Sequence, residues 1–249
     1  MLLQKKSLSL KLLLVVGGLL ILMSLSFILV SSISLNDAEK DIVSEVSTEV
    51  RAQIEQTVAA KSSAIAADIS SVFNENYVYP YKLAKQLAAS IEGKLPEPYS
   101  RGQVEAMVKN SLSYSKVSSM YAQFDADQFD GKDASFATGY THSVAGAGSL
   151  EVYFFREQGN QISQQIVDDS AEKYDETLDE FGNRAAQWYL CSKETLKPCI
   201  SNPYKYEIRP GYTELMTSLV VPVIANGEFR GVVGSDLNLP ILQEKAQQL

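Results

Sequence analysis

The hydrophobic pattern divides the chain into three regimes. The first is a run of nineteen uncharged, mostly apolar residues, Leu12 to Val30. Lys5, Lys6 and Lys11 precede it; Asp37, Glu39 and Asp41 follow. About 20 apolar residues cross a bilayer as a helix. Basic charge before the run and acidic charge after it predict an N-terminus inside and the remainder outside. A cleaved signal peptide is the competing reading, with a weak cleavage site at Val30 and Ser32, but its apolar core would run only about 7–15 residues. A retained anchor at a plasma (inner) membrane is therefore expected, with the remainder of the chain periplasmic or extracellular.

The second regime is helical. Leu35, Ala38, Ile42, Val46, Val50, Ile54, Val58, Ile65, Ile69 and Val72 recur mainly at threes and fours, which predicts one helix over 34–73. From Ile42 to Val58 every step is four, so the stripe drifts by about 40° per step. Such a stripe suits either a partner helix, as in a homodimer, or the chain's own domain. Pro80 is expected to break or kink the pattern. A helix over Tyr81–Glu92 follows, closed by Gly93, Pro96 and Pro98. Another opens at Ser100 or Arg101 and runs to about Ser113.

In the third regime the period shortens. Val117–Phe124, Leu150–Phe155 and Trp188–Leu190 are expected as strands, with a turn-rich stretch over Asp125–Gly148 and a polar helix over Ile162–Ala186. Leu215–Ile224 and Phe229–Ser235 flank Asn226-Gly227, a favoured tight hairpin turn. The sum is α+β: an antiparallel sheet flanked by helices. The expected organisation is a cytoplasmic N-terminus over 1–11, a transmembrane helix over 12–33, a stalk helix over 34–73, a ligand-binding domain over 74–240 and the start of a connecting helix over 241–249.

Composition narrows the function. Across 249 residues the net charge is −8, without a Lys/Arg-rich block, so nucleic acid is not an expected partner. The two cysteines, Cys191 and Cys199, would sit in an oxidising compartment. They flank a short segment containing Pro198, which suits a local disulfide; a pair of free thiols is the alternative. The lone histidine, His142, leaves no zinc set. Asp125, Asp127, Asp130 and Asp133 miss the calcium-loop register, which wants glycine at position six and glutamate at twelve; turn and capping roles fit them better. Gly146-Ala147-Gly148 precedes a strand rather than a helix, so it reads as a flexible connection and not a dinucleotide loop. No nucleophile elbow exists. No catalytic residue, metal or cofactor is therefore expected. Aromatic and polar density concentrates late instead, in Phe181, Trp188, Tyr189, Tyr204, Tyr206, Arg209, Tyr212 and Asp236, as in small-ligand pockets. An ordinary core tryptophan and a helix N-cap aspartate are the bland readings of Trp188 and Asp236.

Several segments resemble one family. Ser118-Ser119-Met120-Tyr121 through Phe129-Asp130-Gly131-Lys132-Asp133, Trp188-Tyr189-Leu190 followed by Asn202-Pro203-Tyr204, and Pro222-Val223 with the hairpin Asn226 to Asp236 are similar to the double-Cache sensor domains of methyl-accepting chemotaxis proteins. The resemblance implies a PAS-like, membrane-distal pocket lined by Trp188, Tyr189, Tyr204 and Asp236, with Tyr206 and Arg209 as further candidates. It also implies that Asp236 takes a ligand ammonium. The tyrosine and arginine that amino-acid-binding relatives carry would fall at Phe181 and Ala186, so the carboxylate grip is missing; Arg184, Lys193 or Arg209 would have to supply one. The expected ligand is an amine, an amino-acid-like compound or an organic acid. The expected function is non-catalytic sensing in chemotaxis signal transduction. A histidine kinase or diguanylate cyclase sensor, a membrane-tethered enzyme and a structural domain are the alternatives.

Overall fold

The computed structural model describes residues 8–157, 159–209 and 211–238; the side chains of 8–10 and 209 lie outside that description, as do the first seven residues of the N-terminus expected over 1–11 and the connecting helix expected over 241–249. The chain divides into two units, 1–63 and 64–249.

Helix α1 spans Leu8–Ile91. In the first unit it is apolar and long enough to cross a membrane. There the stripe Ile42, Val46, Val50, Ile54 and Val58 is exposed in the single chain. In the second unit Val72, Asn76, Pro80, Leu83, Ala84, Leu87 and Ala88 form a buried stripe at helical spacing. The expected break at Pro80 does not occur. Proline removes one backbone donor from the helix, but its ring is buried in the stripe, where packing favours continuation. Asn76 is held from both sides, its Nδ2 donating to Val72 O (2.8 Å) and its Oδ1 accepting from Lys116 N (3.4 Å).

Helix α2, Arg101–Tyr114, begins with a capping box between Ser100 and Gln103 and buries Arg101, Val104, Val108 and Leu112. The strands are β1 Ser119–Phe124, β2 Glu151–Arg156, β3 Ile162–Gln165, β4 Cys199–Ile200, β5 Tyr204–Arg209, β6 Tyr212–Ala225 and β7 Glu228–Asn238. They form one antiparallel sheet in the order β3-β2-β1-β7-β6-β4, with β5 also paired to β6. Asn226 and Gly227, both at positive φ, close the β6–β7 hairpin; glycine lacks the Cβ that would clash there and asparagine tolerates the conformation.

Alternation along the strands gives the sheet two faces. Met120, Ala122, Phe124, Val152, Phe154, Leu219, Val221 and Val233 pack with Leu83 and Leu87 of α1 and Val104, Val108 and Leu112 of α2. Tyr121, Tyr153, Phe155, Met216, Val220 and Val232 face the other way, where Tyr189 joins them.

Two segments depart from the sequence reading. Ile162–Ala186 is not a helix: it pairs as β3 with the free edge of β2 and then becomes a long loop with a 3-10 turn at Glu172–Tyr174. The aspartates explain this. Asp169, Asp175 and Asp179 accept from the backbone N–H of Ala171, Thr177 and Phe181 (each 2.8 Å), and such local bonds compete with a helix. Trp188–Leu190 is not a strand but lies in helix α3, Gln187–Thr195, which ends at Leu196 in the left-handed region. Three bulky residues are too few to distinguish the two periods.

The acidic loop after β1 is a structural clamp. The buried Arg101 guanidinium donates to Asp130 Oδ2 (3.0 Å), Asp133 Oδ1 (2.6 Å), Ser143 Oγ (3.0 Å) and Gly148 O (2.5 Å). Gly146–Gly148 is not a flexible connection: a Cβ at Gly148 would lie 2.0 Å from the Asp133 carbonyl oxygen, so only glycine permits this approach.

Candidate functional site

The site grows from one row of the sheet. Ser119, Asp236 and Ser218 are directly opposite one another across β1, β7 and β6, a spacing at which side chains interact. Ser119 Oγ donates to Asp236 Oδ2, joined there by Tyr153 Oη (3.3 Å). Ser218 Oγ donates to Oδ1 (2.6 Å) and bonds Tyr204 Oη (2.7 Å). Asp236 is 1% exposed. Among the described residues its carboxylate has hydroxyl donors but no ion-pair partner. Burial pushes the Asp236 carboxyl up to about 6, although Ser119, Ser218 and Tyr153 pull the other way. Asp236 is thus not a helix N-cap; it lies within β7.

The next row along is Gln165, Tyr153, Tyr121 and Gly234, from β3 across to β7. A Cβ at Gly234 would lie 2.2 Å from the Tyr121 ring, so the missing side chain is what lets that ring lie there. Tyr121 stacks with Tyr153 (centroids 6.0 Å apart) and meets Trp188 edge-on at 5.3 Å. Burial, then the Asp236 charge, raises the Tyr121, Tyr153 and Tyr204 phenols well above their ordinary value. Tyr206 is pushed up to about 12, by burial and then by Glu172 and Asp236.

These groups line a cavity of about 560 Å³ between the sheet, α3 and the loop after β3. Its lining holds seven acidic residues against three basic ones. Two of those cations are engaged. Lys173 pairs with Glu151, both buried, and Glu151 also accepts from Ser149 and Ser170 (both 2.7 Å). Arg184 forks onto Glu194 (2.6 and 2.8 Å) and bonds Gln187. Lys205 stands on the exposed rim. Glu172, crowded by Asp168 and Asp169, is raised by burial first and by those charges second. The surplus favours a cationic occupant.

Of the sequence candidates, Trp188, Tyr204, Tyr206 and Asp236 come together around this cavity. Tyr189 does not line it. Residues adjacent on a helix diverge by about 100°, and Tyr189 turns into the core, its hydroxyl donating to Asp125 Oδ1 (2.6 Å). Tyr174 Oη and Lys193 Nζ reach the same carboxylate (2.6 and 2.9 Å). Burial alone would raise Asp125, yet these three partners hold it below its ordinary value. Lys193 is therefore engaged behind the wall. The Arg209 side chain lies outside the described residues. Cys191 and Cys199 are bonded to each other, tying α3, which carries Trp188, to the sheet. Sequence reasoning missed Tyr121, Tyr153, Gln165, Ser119 and Ser218. The signal was the alternation Ser119-Tyr121-Gln123 against Met120-Ala122-Phe124, which sorts polar and aromatic residues onto one face.

The fold is shared with known proteins. The chemotaxis receptor TlpQ of Pseudomonas aeruginosa is 28% identical over 149 residues, 59% of this chain and 21% of that receptor; the chain thus spans about a fifth of its curated relative. Among solved structures, a protein described as methyl-accepting chemotaxis protein X superposes with a TM-score of 0.64 at 20% identity, over 79% of this chain and 66% of its own. The extracellular domain assigned to histidine kinase mmHK1S-Z3 gives 0.56 at 24% identity, over 76% and 60%. The periplasmic sensory domain of the Campylobacter jejuni chemoreceptor Tlp1 gives 0.55 at 14%, over 73% and 59%. Residues 104–244, more than half of the chain, match a single family, and the chain belongs to it: the methyl-accepting chemotaxis protein-like first PDC sensor domains.

Proposed function

We propose that the chain is the extracytoplasmic, non-catalytic sensing end of a membrane chemoreceptor, and that its cavity takes a small cationic amine with Asp236 as counter-ion. The observation that carries this reading is the buried Asp236 carboxylate, supplied with three hydroxyl donors but no cation, beside an aromatic, acid-rich cavity. A buried charge is costly until paired, so an ammonium recovers what burial costs. A carboxylate anchor deep in the cavity is disfavoured because Lys173, Arg184 and Lys193 already have partners, while Lys205 stands at the exposed rim. Helix α1 would anchor the chain through Leu12–Val30 in a plasma membrane. Its exposed stripe at Ile42–Val58 would pair with a second copy.

Calorimetric titration of the full chain in detergent with an amine panel tests the ligand class. Binding by wild type and its loss in Asp236→Asn are expected; unchanged affinity in the variant would sink the assignment. Attachment to a histidine kinase instead of a chemotaxis output is the second reading, favoured by the likeness to mmHK1S-Z3; autophosphorylation against methylation of the native protein in its own membranes decides between them.

A further inference from the structure

We propose that the hairpin over 175–186 is a lid, which stands open in the empty protein and closes over a cationic occupant with Phe181 at its leading edge. The inference rests on the cationic reading of the same cavity and adds how the occupant is enclosed.

Three observations carry it. The first is apolar surface gathered at one mouth. Phe181 is 79% exposed, Ile166 51% and Leu215 38%, and all three line the cavity. They come from the hairpin, the residue after β3 and the start of β6. Exposed apolar side chains scattered singly are ordinary, but a group around one opening marks a surface that something covers. Phe181 is the most exposed of the three and is carried on a segment able to cover the others.

The second is how that segment is built. Ala185 N donates to Thr177 O (2.8 Å), Ala186 N to Asp175 O (2.9 Å) and Asp179 N to Asn183 O (2.9 Å). At the tip Asp179 Oδ1 accepts from Phe181 N (2.8 Å) and Asn183 N (2.9 Å), and Gly182 takes the positive φ of the turn. The hairpin is thus bonded within itself and can move as a unit. Its base is fixed: Lys173 is buried on Glu151, Tyr174 bonds Asp125 and Ala186 is wholly buried. Its outer half is tied at the surface, by Asn202 to Asn183 (2.7 Å) and by Arg184 to Glu194. Surface bonds of this kind contribute little, so the tip is held less firmly than the base.

The third is charge. The hairpin brings Asp175, Asp179 and Glu180 to a cavity that Asp168, Glu172 and Glu207 also line. Like charges around one opening oppose closure while the cavity is empty. A cation inside reverses the sign of that force, draws the hairpin inward and lets the Phe181 ring leave water.

The test follows Phe181 in the full chain in detergent, with para-fluorophenylalanine in place of phenylalanine and the Phe181 signal assigned through Phe181→Leu. The probes are n-butylamine and phenethylamine. A neutral gadolinium chelate should broaden the Phe181 fluorine signal in the empty protein, and saturating amine should protect it. Stopped-flow fluorescence of Trp188, the chain's single tryptophan, reads the rates: Phe181→Ala should speed amine dissociation about tenfold and leave association nearly unchanged. Equal broadening with and without bound amine, or unchanged dissociation in Phe181→Ala, overturns the lid and leaves the cationic reading standing, provided Asp236→Asn still loses the amines. Binding of neither amine by folded wild type overturns both.

Discussion

The two faces of the sheet are made from the same strands and behave as different materials. Toward α1 and α2 one set of alternate positions is almost wholly apolar: Phe124 lies 5.1 Å from Phe129, and Leu112, Val104 and Val108 are wholly buried. Toward α3 the alternate positions are tyrosines, serines, Gln165 and Asp236, surrounding about 560 Å³ of open space. The first face supplies stability through area removed from water. The second gives some of it up, holding a carboxyl that burial raises, beside open space. Strain of this kind is what a binding site retains when empty, and a ligand that satisfies it gains the difference.

Substitutions on the two faces should therefore move stability in opposite directions. The largest effect is expected from Phe124→Ala on the helical face, which opens a cavity in a fully buried position and should cost about 3–5 kcal/mol, read as a lower urea midpoint. A loss below about 1 kcal/mol would break the contrast. Next comes Asp236→Asn on the other face. With the folded-state value near 6 against an ordinary 3.8, the ionised carboxylate costs the empty protein about 3 kcal/mol above pH 6. Because the folded value is the higher one, Asp236 contributes stability that is fully present below pH 4 and lost as the pH rises toward 6. Wild type should accordingly lose melting temperature across that window, from this group, while Asp236→Asn does not, and at pH 7.5 the variant should melt higher despite having lost its amine. Amine affinity in wild type should fall below pH 6 as the carboxylate protonates, by up to about tenfold per unit. The smallest effect belongs to Ser218→Ala. Removing one donor from Oδ1 should raise the Asp236 midpoint further and change stability by about 1 kcal/mol; an NMR titration of the carboxyl that shows no upward movement would remove Ser218 from the network.

Legibility in the sequence followed the same division. The helical face was written in period: α2, β1, β2 and the β6–β7 hairpin lie close to where spacing and Asn226-Gly227 predict them, because burial against helices demands regular apolar recurrence. The cavity face was written in single residues. Asp236, Trp188, Tyr204 and Tyr206 stand out by chemical type, yet Tyr121 and Gln165 become visible only when strand order places them across from Gly234 and Tyr153. The loop after β3 was illegible for a physical reason: Asp169, Asp175 and Asp179 spend their oxygens on nearby N–H groups, and no periodicity records such local choices. Pro80 misled in the opposite sense, since its rule is local and the burial that overrides it is not.

Gly234 gives this arrangement an evolutionary consequence. Because the space a side chain would need there is filled by the buried Tyr121 ring, a single codon change at this position would disturb the cavity wall and the packing of Tyr153 and Trp188 against it together.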